Sequence, residues 1–124
     1  MASAQPRIAA ACTRIEALHY TGAEAAPARE EQTQLDCYGV NLYGAPRKVE
    51  FMFNDGTLAF LWILMEPSES ERIRREIVSA RGPSIYQNGG YEVFRGGEIA
   101  FRSDPRELLI ANPAMMTEIT GYRP

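Results

Sequence analysis

The stretch from Lys48 to Gly82, KVEFMFNDGTLAFLWILMEPSESERIRREIVSARG, decides the fold because it reads as a β-hairpin that leads into a helix. Its first strand alternates: Val49, Phe51 and Phe53 fall on one side of an extended chain, and the residues between them fall on the other. The Asn-Asp-Gly run at 54–56 then supplies residues that tolerate positive φ in a tight turn. This half of the stretch therefore predicts a half-buried strand followed by a reversal of the chain.

The second strand and the helix have equally clear signals. Residues 57–65 are apolar at every position after the first, which suits a central strand covered by a helix on one side. Trp62, in the middle of this strand, is predicted to be a core residue and not a platform for ligand stacking. A capping-box pattern at Ser68 and a Gly-Pro pair at 82–83 predict one principal helix over about 68–81.

The rest of the chain predicts more antiparallel sheet. Short apolar or alternating runs are separated by Gly-, Pro- and Asp-containing turns, among them the Gly-Gly pair at 96–97. We expect an α+β domain over residues 15–124, with an antiparallel sheet of about five to seven strands and the helix packed on one face. Residues 1–14 are expected to be a partly disordered N-terminal segment, and 22–31 an exposed loop. The further strands are expected at 15–20, 34–38, 91–94, 98–102 and 107–111.

Composition and charge exclude some classes of protein. In 124 residues, 45% are hydrophobic and 12 are aromatic, which is enough for a single core. The net charge of -3 disfavours nucleic acid and anionic membranes as partners, and the arginines of the predicted helix alternate with glutamates. The apolar run at 57–65 is too short for a transmembrane segment.

The first residues predict an export pathway. Ala2-Ser3-Ala4 before Gln5 is the small-x-small pattern after which a signal peptidase cuts. We therefore expect a periplasmic or secreted protein whose sequence begins near such a cleavage site, Met1 then being an added start. The alternative, a cytoplasmic protein with an ordinary alanine-rich N-terminus, remains open because this pattern is common in such sequences.

The two cysteines agree with export. An even number of cysteines in a small exported domain predicts a disulfide between Cys12 and Cys37. Two free buried thiols are the plainer alternative. A catalytic pair of Cys37 with His19, the single histidine of the chain, is disfavoured because no nucleophile signature surrounds Cys37.

No other motif points to catalysis, a cofactor or a metal ion. The glycine pairs at 89–90 and 96–97 lack the strand-to-helix context of a phosphate loop and are predicted to be turns. A single histidine is too few for a typical zinc site. We therefore expect no catalytic, cofactor-binding or metal-binding residues and no cofactor.

The stretch from 44 to 83 resembles small exported bacterial α+β modules. The residues that carry the resemblance are Gly44-Ala-Pro46, the hairpin Val49-x-Phe51-x-Phe53-x-Asp55-Gly56-x-Leu58, and the helix end Gly82-Pro83. They are similar to β-lactamase-inhibitor-protein-like and outer-membrane-assembly lipoprotein-like domains, although those carry a residue between this Gly and Pro and paired helices before the sheet. The resemblance implies a protein-binding or envelope-structural role and transfers no active-site residues.

We therefore expect a non-enzymatic exported protein that binds another protein, as an envelope accessory factor or as an inhibitor or immunity protein. Contacts are expected from tyrosines in loops or on an exposed sheet face, because tyrosine combines an apolar body with a polar tip: Tyr38, Tyr43, Tyr86 and Tyr91. That these tyrosines only cover the edge of the core is an equally open interpretation. The alternative function is a small-ligand-binding protein or an unrecognised enzyme that uses the concave face of the sheet.

Overall fold

The computed structural model describes residues 11–25 and 28–124 and gives them a mixed α+β fold that is mostly antiparallel sheet. The described strands are β1 Arg14–Thr21, β2 Glu31–Leu42, β3 Ala45–Asn54, β4 Thr57–Leu64, β5 Tyr86–Asn88, β6 Tyr91–Val93, β7 Ile99–Ser103 and β8 Arg106–Ala111. The helices are α1 Pro67–Arg81 and α2 Pro113–Thr120, and a short 3₁₀ turn spans Gly22–Ala25. In the sheet the strands lie in the order β1-β2-β3-β4-β8-β7-β6-β5.

The α+β class and the antiparallel sheet are confirmed, but the predicted number of strands is wrong. Within residues 11–25 and 28–124 the sheet has eight strands instead of five to seven. The strand missed most clearly is β5, whose three residues pair with β6 across the turn at Gly89 and Gly90. Three residues are too few to establish an alternating pattern, so a strand of this length leaves little signal in the sequence.

The helix α1 lies where the sequence places it, but it begins differently. Its N-cap is Glu66, and no side chain caps it, so the predicted capping box at Ser68 is wrong. Pro67 takes the first helical position, where its fixed φ suits the helix and its missing N–H leaves no donor to satisfy. Ser68 therefore lies inside the first turn, where it cannot act as the cap. At the other end, the N–H of Gly82 bonds to the carbonyl of Val78 at 2.7 Å.

The residues fall into two compact units, one ending at Leu61 and one running from Trp62 to Pro124. A single domain over 15–124 stays a prediction, and each unit is described by itself. In the first unit, β2 pairs with both β1 and β3, so that Cys37 lies opposite Ile15 on one side and opposite Val49 on the other. The core of this unit centres on Leu35, Cys37 and Phe53.

A disulfide fastens the beginning of β1 to β2. Cys12 and Cys37 are bonded, with their Cα atoms 5.4 Å apart. Next to them, the backbone N–H and the hydroxyl of Thr13 both donate to the carbonyl of Tyr38, at 2.8 and 3.0 Å. Gly39 has a φ of +84°, and a Cβ at this position would lie 2.5 Å from the Thr13 hydroxyl oxygen. Only glycine therefore fits beside the disulfide.

The turn between β3 and β4 is tied to the beginning of β2. The carboxylate of Asp55 accepts three backbone hydrogen bonds, from Arg29 and Glu30 at 2.9 Å and from Glu31 at 3.0 Å. In return, the N–H of Asp55 donates to the carbonyl of Glu31 at 2.9 Å. These bonds to the charged carboxylate lower the pKa of Asp55 below its ordinary value.

In the second unit, α1 lies over one face of the sheet. Phe101 is opposite both Glu92 and Leu108, which places these three side chains in a row on one face. The salt bridge from Arg74 to Glu92 connects α1 to this row. Ile73 and Ile77 are the buried apolar residues of the helix.

The C-terminal helix α2 lies on the opposite face. This face carries a row of side chains in which each residue lies directly opposite the next one on the neighbouring strand: Tyr86, Val93, Ala100 and Leu109. The hydroxyl of Tyr86 bonds to the carbonyl of Thr120 at 3.4 Å, which brings the end of α2 onto this row. The side chain of Asn112 caps the start of α2 by accepting from the N–H of Met115 at 2.8 Å.

The predicted cleavage pattern at Ala2–Ala4 and most of the predicted segment 1–14 lie outside the described residues. Residues 26–27 of the predicted loop 22–31 also lie outside the described residues, and the loop begins with the 3₁₀ turn Gly22–Ala25. Neither of the described helices is long and apolar enough to cross a membrane.

Removing the disulfide should destabilise the protein. The bond closes a loop between positions 25 apart, and such a constraint on the unfolded chain is worth about 3 kcal/mol. We expect the double variant Cys12→Ser/Cys37→Ser to lose about that much in urea unfolding. Thiol titration of the denatured, unreduced protein should find no free thiol, and two thiols per chain would contradict the bond.

The Asp55 contacts predict a dependence of stability on pH. The pKa of Asp55 is lower in the folded than in the unfolded protein. Its carboxylate therefore adds to the free energy of unfolding above the unfolded pKa of about 3.9, and this stabilisation is lost as pH falls through the folded pKa. Asn tolerates the positive φ of this position, so Asp55→Asn should be less stable than the parent at pH 7 and equal to it at the lowest pH. Asp104→Asn, in the exposed turn between β7 and β8, is the control, and an equal loss in both variants would contradict the prediction.

Candidate functional site

Three side chains of the second unit form an arginine–aromatic cluster: Trp62 of β4, Tyr91 of β6 and Arg102 of β7. The carbon at the centre of the Arg102 guanidinium lies 5.2 Å from the centre of the Trp62 ring and 5.7 Å from that of Tyr91. The two rings are 6.4 Å apart, with an angle of 30° between their planes. Both rings are therefore within the range in which an aromatic face attracts a cation.

Strand register explains why Arg102 lies at this place. Residues 91–93 pair with 100–102, so Tyr91 is directly opposite Arg102, and Arg102 is in turn opposite Glu107. Directly opposed residues of antiparallel strands point to the same face. The cluster thus belongs to the face of the sheet that carries α2, in the next row along the strands.

Arg102 is the part of the cluster that reaches solvent. Its side chain is 33% exposed, whereas Trp62 is 9% exposed. The buried carboxylate of Glu107 lies 4.0 Å from the guanidinium and balances its charge. A guanidinium that lies between two rings and a carboxylate is already restricted before it meets a partner, so binding costs less side-chain entropy.

The sequence analysis named Tyr91 but missed Arg102, Trp62 and Glu107 as site residues. A signal for Arg102 was present: a two-residue turn at Gly96 and Gly97 implies a register in which 91 is opposite 102. No comparable pattern in the sequence predicts the contact of Trp62 with Tyr91, because that contact depends on the position of β4 in the strand order.

Two clefts lie near the cluster in the second unit. The first has a volume of about 570 Å³ and is lined by Leu64, Met65, Pro67 and the segment 103–107. The second, of about 380 Å³, lies between the segment 87–92 and Ser103. Sites for small ligands typically measure about 300–1,000 Å³. These two clefts are therefore the candidate positions for the alternative function, the binding of a small ligand.

On the α1 face, the ion pair of Arg74 and Glu92 holds the helix on the sheet. Two hydrogen bonds, of 2.8 and 2.7 Å, join the guanidinium to both carboxylate oxygens. These bonds hold the pKa of Glu92 below its usual range and raise that of Arg74. Because the guanidinium bonds to both oxygens of Glu92, the pair connects α1 to β6.

Two of the predicted interface tyrosines have structural contacts. The Tyr86 ring lies 5.6 Å from that of Tyr122, and its hydroxyl reaches the end of α2, so Tyr86 covers the edge of the core. Tyr43 lies in the turn between β2 and β3 with a φ of +52°, and its carbonyl accepts a bond from Arg47 at 3.2 Å. The ring contact agrees with the plainer interpretation for Tyr86, whereas the bond at Tyr43 involves its backbone, so its role stays a prediction.

Tyr38, the remaining predicted tyrosine, carries cations over its ring. The guanidinium carbon of Arg14 lies 4.0 Å from the ring centre, and the ammonium of Lys48 lies 5.6 Å from it. This half-buried group is in the first unit, whereas Tyr91 and Tyr86 are in the second. The four tyrosines therefore do not make one surface within either unit.

A charged row follows Tyr38 on the same face of the first unit. The Lys48 ammonium lies 3.4 Å from Asp36 and 3.1 Å from Glu50, and Gln34 donates to Asp36 at 2.7 Å. Partial burial acts to lower the pKa of Lys48, but the hydrogen bond to Glu50 and the two carboxylate charges outweigh it and raise the pKa. Lys48 therefore bridges the carboxylates of Asp36 and Glu50.

The structure separates the residues of the disfavoured catalytic pair. The sulfur of Cys37 is bonded to Cys12, and Nδ1 of His19 lies 3.0 Å from the hydroxyl of Thr33. Among residues 11–25 and 28–124, no three His, Cys, Asp or Glu side chains are arranged to hold a metal ion.

Comparisons with known proteins do not assign a family. No family model matches the chain, and the searches of curated proteins and of solved structures found no match. The resemblance to small exported modules therefore stays a prediction.

Truncating Trp62 should cost much of the stability of the protein, because the residue is buried and its ring lies against Arg102 and Tyr91. We expect Trp62→Ala to lose about 3–5 kcal/mol in denaturant unfolding. Leu58→Ala is the matched control: Leu58 belongs to the same strand but is 41% exposed, so its loss should stay within about 0.5 kcal/mol. A Trp62→Ala variant that unfolds at the parent's midpoint would contradict the placement of this ring.

Proposed function

We propose that the protein is an exported, non-enzymatic protein that binds another protein through the arginine–aromatic cluster. The observation that carries this proposal is the partly exposed guanidinium of Arg102, held over the rings of Trp62 and Tyr91. Trp, Tyr and Arg are the residue types most enriched among those that dominate protein–protein binding energy. Here they converge on one face from three different strands.

The electrostatics of the cluster favour a partner with an acidic group. Glu107 lies at 4.0 Å from Arg102, which is longer than a direct hydrogen bond. A carboxylate of the partner that approaches from solvent can therefore make shorter, bidentate bonds to the guanidinium. The half-buried ring of Tyr91 adds apolar contact area beside this charged centre.

The disulfide between Cys12 and Cys37 supports export. Disulfides persist in oxidising compartments such as the bacterial periplasm and are rare in the cytosol. An envelope accessory factor and an inhibitor or immunity protein both fit these properties, since each acts by holding a protein partner.

The test is capture of a partner from an envelope fraction with the immobilised parent protein, followed by affinity measurement on the purified partner. Arg102→Ala should weaken binding about 30-fold, which corresponds to the roughly 2 kcal/mol of a dominant interface residue. Arg102→Lys should also weaken it, because lysine keeps the charge but not the planar stacking.

Arg75→Ala is the matched control, since Arg75 is an exposed arginine of α1, and it should bind like the parent. Circular dichroism checks that each variant is folded. Equal binding by Arg102→Ala and Arg75→Ala would contradict the proposal. So would substrate turnover by the parent protein in a broad hydrolase screen.

A further inference from the structure

Among the described residues, β1 forms one end of the sheet and is unusually exposed. Its eight residues pair with β2 on one side, and six of them are exposed to solvent. Leu18 is 42% exposed and belongs to the few large hydrophobic residues on the described surface. The opposite end of the sheet, β5, has only three residues. Long edge strands invite pairing with another chain, and shortness is a common protection against it.

The hydrogen-bond pattern identifies which backbone groups of β1 point away from the sheet. The bond from the N–H of Asp55 to the carbonyl of Glu31 shows that Glu31 faces β3. The N–H and C=O groups of successive residues point to opposite sides of a strand, so those of the even-numbered residues of β2 point to β1. The register pairs these residues with even-numbered residues of β1. The odd-numbered residues of β1 therefore present their N–H and C=O groups outward: Ile15, Ala17, His19 and Thr21.

From this edge we propose that β1 pairs antiparallel with β1 of a second copy of the chain, about a two-fold axis at Leu18. This axis is perpendicular to the sheet, so the same face of both copies lies on the same side. Leu18 then lies opposite Leu18 of the second copy, and the exposed apolar side chains cover each other. The outward residues pair as Ile15 with Thr21 and Ala17 with His19, giving about eight backbone hydrogen bonds.

Charge and side-chain chemistry favour this register over one centred at position 16. Centring the axis at position 16 would place two Glu16 carboxylates directly opposite each other, which is destabilising. Centring it at Leu18 instead puts each Glu16 opposite the phenol of Tyr20, a hydrogen-bond donor. The strand is thus complementary to itself, which favours a second copy over an unrelated strand. A contact made by one strand from each copy is small, so the dimer is weak.

The test uses the full chain with its disulfide intact. Analytical ultracentrifugation between roughly 10 µM and 1 mM, where weak complexes become populated, should show the mass rise from 13.8 kDa towards twice that value. Leu18→Lys places two like charges at the axis, and Ala17→Pro removes an outward donor without removing a bond to β2. Each variant should lower the association constant of the dimer at least tenfold. Leu58→Lys, the control at another exposed leucine, should change this constant less than twofold.

Amide exchange of the parent protein, resolved by NMR, makes the test independent of how the variants fold. The amides of the four outward residues should exchange more slowly at 1 mM than at 10 µM, about in proportion to the dimer fraction. A parent that keeps the mass of one chain throughout would overturn the proposal. The same holds if these amides exchange equally at both concentrations, or if Leu18→Lys and Ala17→Pro, both folded, dimerise like the parent.

Discussion

The second unit depends on burying both faces of one strand. Trp62 and Ile63 are neighbours in β4, so their side chains point to opposite faces of the sheet, and both are buried. Each face must therefore be covered. Helix α1 covers one face, held by Arg74 on Glu92, and α2 with the arginine–aromatic cluster covers the other. An apolar strand of this kind needs cover on both of its faces.

This requirement explains why a charged residue takes part in covering Trp62. Beyond the row that α2 covers, the next row on the same face contains Tyr91, Arg102 and Glu107. The stem of an arginine can lie along apolar surface while its charged end remains near water. The same side chain thus protects the indole and carries the charge that a partner meets, so packing and recognition are combined in Arg102.

The parts of the fold that the sequence predicts are those set by neighbouring residues. The hairpin around Asn54–Gly56 and the helix near 68–81 depend on alternation, turn chemistry and helix punctuation within about ten residues. The register of Tyr91 with Arg102 follows from the Gly96–Gly97 turn in the same way. The failures have local causes too: Pro67 displaces Ser68 from the cap, and β5 is too short to alternate.

Contacts between distant segments were beyond the reach of sequence patterns. Asp55 is recognisable as a turn residue, but its three bonds to residues 29–31 depend on where β2 begins. The position of Lys48 between Asp36 and Glu50 likewise depends on the register of β2 with β3. The candidate site joins β4 to β6, which are not neighbours in the chain, and a single sequence does not determine that pairing.

The unequal lengths of the two outer strands have a consequence for the growth of assemblies. A contact that is symmetric about a two-fold axis uses the same strand in both copies and leaves no further β1 for a third. The remaining ends of such a pair are both β5, whose three residues offer a short template. Under the proposed pairing, association through the exposed strand β1 terminates at two chains and does not build a fibril.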